Sequence, residues 1–472
     1  MSRLNRPQWY WPLALLLALF YVGTSLYISA HRLLWYDEIF TAIYSRQPSM
    51  RDVWNSLAEG TQQIPPLYFF ITLAVDRLFH HADFALRIPS ILGLAAGVLV
   101  IFDIVRRLTD GIYGLIAMSL LTTSYVMYYG YEARPYSLYF LWASIAIWLW
   151  TFTPDESKPA AIAFGLLFAV GVFTHYYFVL CLGPFAIYAL MERRPMHPKL
   201  IASTIGVAAS LAVLYPLVAG SHYGSAAGTW APPKLSSLQS VYFEFFPETI
   251  LPVLLVGLCT LAFGRFREKE VLAMSPAERI SWLFLSVPLG AFILAIMING
   301  IFHRRYVIGA LPGLVIGIAC FLWRQHRESA RLSLALLLVV AGFGAAQQAL
   351  TMRHAAHIRA IDWDNQEDMR QLVSLEDTLS REGKTVCAVA HVGLFLESWY
   401  YSKHPERYAG VSQPWPIKKY APTLQFMSVE DIVAKARETA LVWPTPGLID
   451  ELQRLGVRVK VRFPEQYVYY IE

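Results

Sequence analysis

A polytopic α-helical membrane protein of about eleven transmembrane helices, followed by a small extracytoplasmic α/β domain, is the fold class this sequence predicts. The first observation behind it is composition. Of 472 residues 56% are hydrophobic and 15% charged, against about 25% charged in ordinary soluble domains. The second is periodicity: apolar runs near the length of a bilayer span recur from residue 10 to residue 350. The third is a change of character after residue 352, where short alternating runs replace the long ones.

The spans are expected at 10–30, 87–106, 111–130, 136–152, 160–174, 176–191, 199–219, 248–264, 280–300, 305–323 and 331–350. The first run, Trp9 to Ala30, exceeds a secretory signal core, and Ile28-Ser29-Ala30 is a poor cleavage site, so it is read as a retained helix. Orientation follows from lysine and arginine in short loops. One set of loops holds Arg3 and Arg6, Arg106 and Arg107, Lys158, then Arg193, Arg194 and Lys199. It continues with Arg265, Arg267, Lys269 and Arg279, and ends with Arg324, Arg327 and Arg331. That set is cytoplasmic, which places the N-terminus inside and the C-terminal domain outside. Pro65 to Phe79 is too short for a span and opens with two prolines. Making it a span would reverse every later loop, so it is expected as an in-plane juxtamembrane helix in a first outer loop, 31–86.

Residues 1–352 thus form a transmembrane module and 353–472 a soluble domain. In the latter, strands are expected at 386–390, 441–443, 457–463 and 467–471, and helices at 427–438 and 446–455. It has no glycine-rich phosphate loop and no metal-ligand spacing, and reads as a lid or docking module. Cys181, Cys259 and Cys320 lie in apolar runs and Cys387 alone in the domain, so no disulfide framework is expected. The net charge of +5 contains no basic run that would suit nucleic acid.

Ionisable groups at membrane boundaries are costly, so their clusters are candidate sites. Four fall on the outer face. Trp35-Tyr36-Asp37-Glu38 sets two carboxylates among aromatic rings, a setting for a general base or for a capping or loop acid pair. Gln62-Gln63-Ile64-Pro65-Pro66-Leu67-Tyr68 combines hydroxyl-binding amides with a helix start. Tyr131-Glu132-Ala133-Arg134-Pro135-Tyr136 offers an acid and a guanidinium, or an internal ion pair; His175 stands at another outer helix end. His303-Arg304-Arg305-Tyr306 puts two arginines on the arginine-poor side, where they suit a phosphate or lipid headgroups.

The order of Asp37-Glu38, Pro65-Pro66-Leu67-Tyr68, Arg87-Ile88-Pro89-Ser90, Glu132-Ala133-Arg134-Pro135-Tyr136, and Arg305-Tyr306 with Pro312 resembles the GT-C class of membrane glycosyltransferases. The similarity is to its family 39-like branch: protein O-mannosyltransferases, lipid A aminoarabinose transferases and RgtA-like bacterial enzymes. It covers residues 1 to about 350 and is strongest over 31–140. Ile64 departs from it, since many relatives carry His or Lys there.

The resemblance implies a GT-C-like fold and transfer of a hexosyl or pentosyl group from a polyprenyl-phosphate carrier to an extracytoplasmic acceptor: glycan, lipid or protein. It implies Asp37 as the base, with Glu38 and Glu132 in support. Arg304, Arg305 and Tyr306 would hold the donor phosphate, and Gln63, Tyr68, Arg87, Arg134, Tyr136 and His175 the substrates. Some relatives bind a divalent metal, for which Asp37, Glu38, Glu132 and His175 are the candidate ligands. The expected location is a bacterial inner membrane. A lipid flippase or a non-catalytic glycolipid scaffold are the alternatives, although a transporter would carry its charges near the bilayer midplane.

Overall fold

The computed structural model describes residues 10–220, 231–246, 273–298, 300–327, 329–356, 366–412 and 416–472. It divides into two compact units. The first comprises residues 1–29, 62–71 and 87–352, and the second residues 30–61, 72–86 and 353–472. Residues 30–61 and 72–86, most of the outer loop read from the sequence, therefore share one unit with the C-terminal segment, while 62–71 belongs to the first.

Among the described residues, six helices lying wholly or largely in the first unit are long and apolar enough to cross a membrane: Tyr10–His31, Asp83–Leu108, Pro198–Gly220, Pro276–Met297, Arg304–His326 and Ala330–Arg353. Four shorter apolar helices are Gly111–Thr122, Tyr136–Phe152, Lys158–Thr174 and Tyr176–Met191. Each expected span except 248–264, which lies outside the described residues, thus has its helix. Local chemistry sets their starts. Asp110 accepts from the amides of Ile112 and Tyr113 at 2.9 and 3.2 Å, Ser157 from Ala160, and Ser275 from Glu278. These caps satisfy donors that the first turn leaves without an intrahelical acceptor.

The expected continuous helix 111–130 is broken. Thr122, Thr123 and Ser124 in succession turn their hydroxyls onto the carbonyls of Ser119, Leu120 and Leu121 at 2.7–2.8 Å. Hydroxyls used this way compete with the main-chain ladder, and the chain restarts only as the short helix Val126–Gly130.

Helices Lys158–Thr174 and Pro198–Gly220 meet backbone to backbone. A Cβ on Gly206 would lie 2.2 Å from the carbonyl oxygen of Gly165, and one on Gly165 would lie 2.7 Å from that of Ala202. Small residues allow such an approach, which substitutes dispersion contacts for the hydrophobic drive absent in lipid. Gly206→Val is expected to destabilise the protein by about 1–3 kcal/mol, the usual overpacking range. A lowered thermal midpoint in detergent checks this; an unchanged midpoint would mean the helix pair is not close-packed.

The second unit has helices Tyr36–Ser45 and Met50–Ala58 from the outer loop and a six-stranded sheet from the C-terminal segment. The strands are β1 (Val386–Val389), β2 (Tyr408–Val411), β3 (Gln425–Met427), β4 (Thr439–Val442), β5 (Val459–Phe463) and β6 (Val468–Ile471), in the order β3-β2-β1-β4-β6-β5. The first four in that order are parallel, and β6 and β5 are antiparallel. Ala388, Leu441, Ala409 and Ile471 pack under Ile432, Leu448 and Leu452 on one face.

The strands expected at 386–390, 441–443, 457–463 and 467–471 are present. The helix expected over 427–438 is instead β3 followed by Val429–Ala434, started by a reciprocal Ser428–Asp431 capping box. β2, β3 and the helix Val392–Tyr401 had no forecast. The three described cysteines, Cys181, Cys320 and Cys387, are free and buried, and burial pushes the Cys387 thiol up to about 12.

At the sheet edge Arg462 grips both oxygens of Glu382 at 2.6 and 3.1 Å, and the Tyr470 hydroxyl adds a third bond. The arginine first, then the tyrosine, hold this carboxyl at about 2 rather than 4.5. A depressed carboxylate adds stability above its unfolded value and loses it as pH falls through its folded one. Glu382→Gln should therefore flatten the decline in stability between pH 4.5 and about 2, read by circular dichroism on acid titration. The same slope in both proteins would remove this bond from the acid response.

Candidate active site

In the first unit, Tyr136, His175, Arg304, Arg305 and Tyr306 come together at helix starts. His175 closes the helix Lys158–Thr174 and opens a tight 3₁₀ turn, Tyr176–Cys181, by accepting the Tyr177 amide on Nδ1 at 3.3 Å. His303 does the same for Arg304–Ala310, accepting the Arg305 amide at 3.4 Å. A backbone N–H aimed at Nδ1 leaves the proton of a neutral imidazole on Nε2. The two expected helices 176–191 and 305–323 accordingly begin as 3₁₀ turns with a histidine at each mouth.

The two turns meet through their rings. Tyr177 and Tyr306 stack at 5.2 Å and 18°. His175 stacks on Tyr139 at 5.2 Å and lies 5.6 and 5.7 Å from Tyr306 and Tyr136. The Arg305 guanidinium lies 5.8 Å from the centre of the Tyr136 ring and 5.4 Å from that of Tyr306. Its residue is only 9% exposed. Arg304 lies over Tyr125 at 5.2 Å, and its carbonyl accepts the Tyr125 hydroxyl at 2.5 Å. Its side chain is 3.9 Å from Glu244. Ring faces stabilise a cation without consuming its donors, and a guanidinium stays charged even when buried. Such a fork suits an anion with two acceptor oxygens. Tyr125, Tyr129, Tyr139 and Tyr177 belong to this cluster and carried no sequence signal beyond general aromatic richness.

Three other candidates form a strut. Ser90 donates to the Arg134 carbonyl at 2.9 Å, so the Tyr68 hydroxyl must donate to Ser90 at 2.9 Å. This joins the motifs at 65–68, 87–90 and 132–136 in one chain of hydrogen bonds. Arg87 is fully buried and donates to the Ser29 carbonyl at 3.1 Å, tying down the end of the first helix. Glu132 is fully buried in the turn before Tyr136, and its carbonyl accepts the Arg134 amide. Gln63 is half-buried in the bend before Leu67–Leu78.

In the second unit, Asp37 and Glu38 occupy the first turn of Tyr36–Ser45, where an acid is favoured by the helix dipole. Both are buried. Glu38 reaches back to the Trp35 amide at 3.3 Å, the capping role that its position allows. Asp37 is the acid one residue earlier. Glu397 and Tyr401, which no sequence pattern singled out, bond to the segment just before it: Glu397 Oε1 accepts the Tyr36 amide at 3.1 Å and the Tyr401 hydroxyl accepts the Leu34 amide at 2.6 Å. Among the described residues no three His, Cys, Asp or Glu side chains gather to hold a metal ion.

The chain is similar over nearly its whole length to solved structures of one fold. It matches the crystal structure of ArnT from Cupriavidus metallidurans bound to undecaprenyl phosphate with a TM-score of 0.60 and 13% identity, covering 98% of both chains. The apo structure of that protein matches with a TM-score of 0.57 and 14% identity, covering 97% of both. The profile of the family described as dolichyl-phosphate-mannose-protein mannosyltransferase matches residues 63–219. No curated protein matches the chain.

Proposed function

With an ArnT-like GT-C fold of multi-pass helices as the premise, we propose that the protein transfers a sugar from a polyprenyl-phosphate carrier to an acceptor hydroxyl outside the cytoplasm. The observation that carries this is Arg305: a buried guanidinium held against tyrosine rings where apolar helices begin. The guanidinium keeps its charge there, and its planar fork matches the paired oxygens of a phosphate, the group that a polyprenyl carrier would present at a membrane boundary. Arg304 adds a second positive charge, and Tyr306 and Tyr136 fix the geometry.

In the reaction, the acceptor oxygen attacks the anomeric carbon and its proton passes to Asp37. The bond from that carbon to the phosphate oxygen breaks, and the polyprenyl phosphate leaves with its charge facing Arg305. Charge of opposite sense develops at the acceptor and leaving oxygens of an oxocarbenium-like state, so a carboxylate suits the first and a guanidinium the second. A phosphate leaving group requires no general acid. Single displacement inverts the anomeric centre. Glu38 and Glu132 support Asp37 and the acceptor, while Gln63, Tyr68, Arg87, Arg134 and His175 shape the donor side. A bacterial inner membrane with a cytoplasmic N-terminus is the setting this reading assigns.

The experiment is turnover by purified protein in detergent. Undecaprenyl-phosphate mannose, glucose, arabinose and aminoarabinose are each offered with crude envelope as acceptor, and free sugar is recorded beside transfer. Release or transfer from one donor supports the reading and names the sugar. A donor that binds and is neither hydrolysed nor transferred would favour the flippase or scaffold.

A further inference from the structure

We propose that the C-terminal domain serves as a brace for the candidate base: Glu397 and Tyr401 are positioning residues that fix the backbone carrying Asp37. This rests on the reading of Asp37 given above. Three successive amides ahead of Asp37 are each taken by a side chain. Leu34 N–H donates to Tyr401, Trp35 N–H to Glu38, and Tyr36 N–H to Glu397. Two of these three acceptors come from positions more than 360 residues further along the chain.

The need for outside help is local. Helix Tyr36–Ser45 starts at Trp35, whose side chain supplies no capping bond. The Glu38 amide is taken by the Trp35 carbonyl, while Tyr36, at the very start of the turn, has no intrahelical acceptor for its amide and donates to Glu397. Glu397 supplies an acceptor and a negative charge at the positive end of the helix, the favourable pairing for a helix dipole. Glu397 is fully buried, a position that a carboxylate tolerates only with bonds of this kind. Its neighbour on the same face is Tyr401, four residues on, the spacing that aligns side chains along a helix.

The far end of Tyr36–Ser45 is held by the same C-terminal helix. Arg46, its C-cap, donates to the Tyr400 hydroxyl at 2.6 Å and to Asp83 at 2.9 Å, and Tyr400 in turn donates to Asp83 at 2.6 Å. Val392–Tyr401 therefore clamps both ends of the ten-residue helix that carries Asp37. A base displaced by about 1 Å loses on the order of 100-fold in rate, so a clamp here acts on turnover rather than on donor binding.

The test uses the full chain with undecaprenyl-phosphate mannose and undecaprenyl-phosphate aminoarabinose as probes, and amide hydrogen exchange over 33–38 as a second readout. Glu397→Ala is expected to speed exchange at Tyr36 and to lower kcat about 100-fold, with KM for the donor within about twofold. Glu397→Gln, whose side-chain carbonyl still accepts the Tyr36 amide, should restore most of both. Tyr401→Phe should speed exchange at Leu34 and reduce kcat more mildly. Unchanged exchange in Glu397→Ala, or faster exchange with unaltered kcat, overturns the proposal. Asp37→Asn run alongside separates the two ideas. Full turnover there removes the base assignment, whereas its loss together with full turnover in Glu397→Ala removes only the brace.

Discussion

Arg305→Ala is expected to abolish measurable sugar transfer, a loss on the order of 10³-fold. The magnitude follows from stripping a buried charge of its partner, which costs about 3–5 kcal/mol. On the proposed assignment the charge left behind is the donor phosphate, so the loss should appear in donor binding as well as in kcat/KM. Arg305→Lys is the informative companion. It keeps a cation over the Tyr136 and Tyr306 rings and gives up the planar two-pronged fork. It should fall between the parent and the alanine variant, and it controls for misfolding because the buried charge survives. Undecaprenyl phosphate binding measured on all three proteins checks the argument. Parental affinity and turnover in Arg305→Ala would assign the phosphate to another residue.

The second large effect is expected from Asp37→Asn. The substitution keeps the shape of the side chain and its place in the first helical turn, yet removes the proton acceptor. General-base catalysis contributes about 10²–10⁴-fold, and kcat should fall by that factor. Donor binding should remain, because no step of binding requires the acceptor proton to move. Loss of turnover with intact lipid binding is the pattern of an enzyme. A transporter would show no such split. Equal turnover in Asp37→Asn would end the assignment.

The apolar spans were legible because each is a local property: twenty or so apolar residues suffice, whatever surrounds them. The caps at Asp110, Ser157 and Ser275 are local features too, but the spans were placed by hydropathy alone, and the helix capped by Ser275 starts four residues before the expected 280. The interruption at Thr122-Thr123-Ser124 was not read, since three hydroxyls in an apolar run leave the hydropathy intact while diverting the backbone. Strand β2 carries Gly410 and spans four residues, and β3 only three, too short for a period of two to register.

The candidate residues of the first unit were found by their unusual placement, arginines on an arginine-poor side. What united them, the ring contacts of Tyr125, Tyr139 and Tyr177, depends on pairing between distant segments. Glu397 shows the same limit. Nothing near it in the chain marks it, and its meaning lies in a bond to residue 36.

That bond has a consequence for synthesis. Tyr36 and Glu397 are 361 residues apart, and at typical translation speeds of 5–20 residues per second roughly 20–70 s pass between their emergence from the ribosome. During that interval the spans can insert one after another, but the loop ahead of Asp37 still awaits both of its distant acceptors. On the proposed role of Asp37, a chain truncated before residue 397 would lack both acceptors, and its turnover should fall at least as far as that of Glu397→Ala.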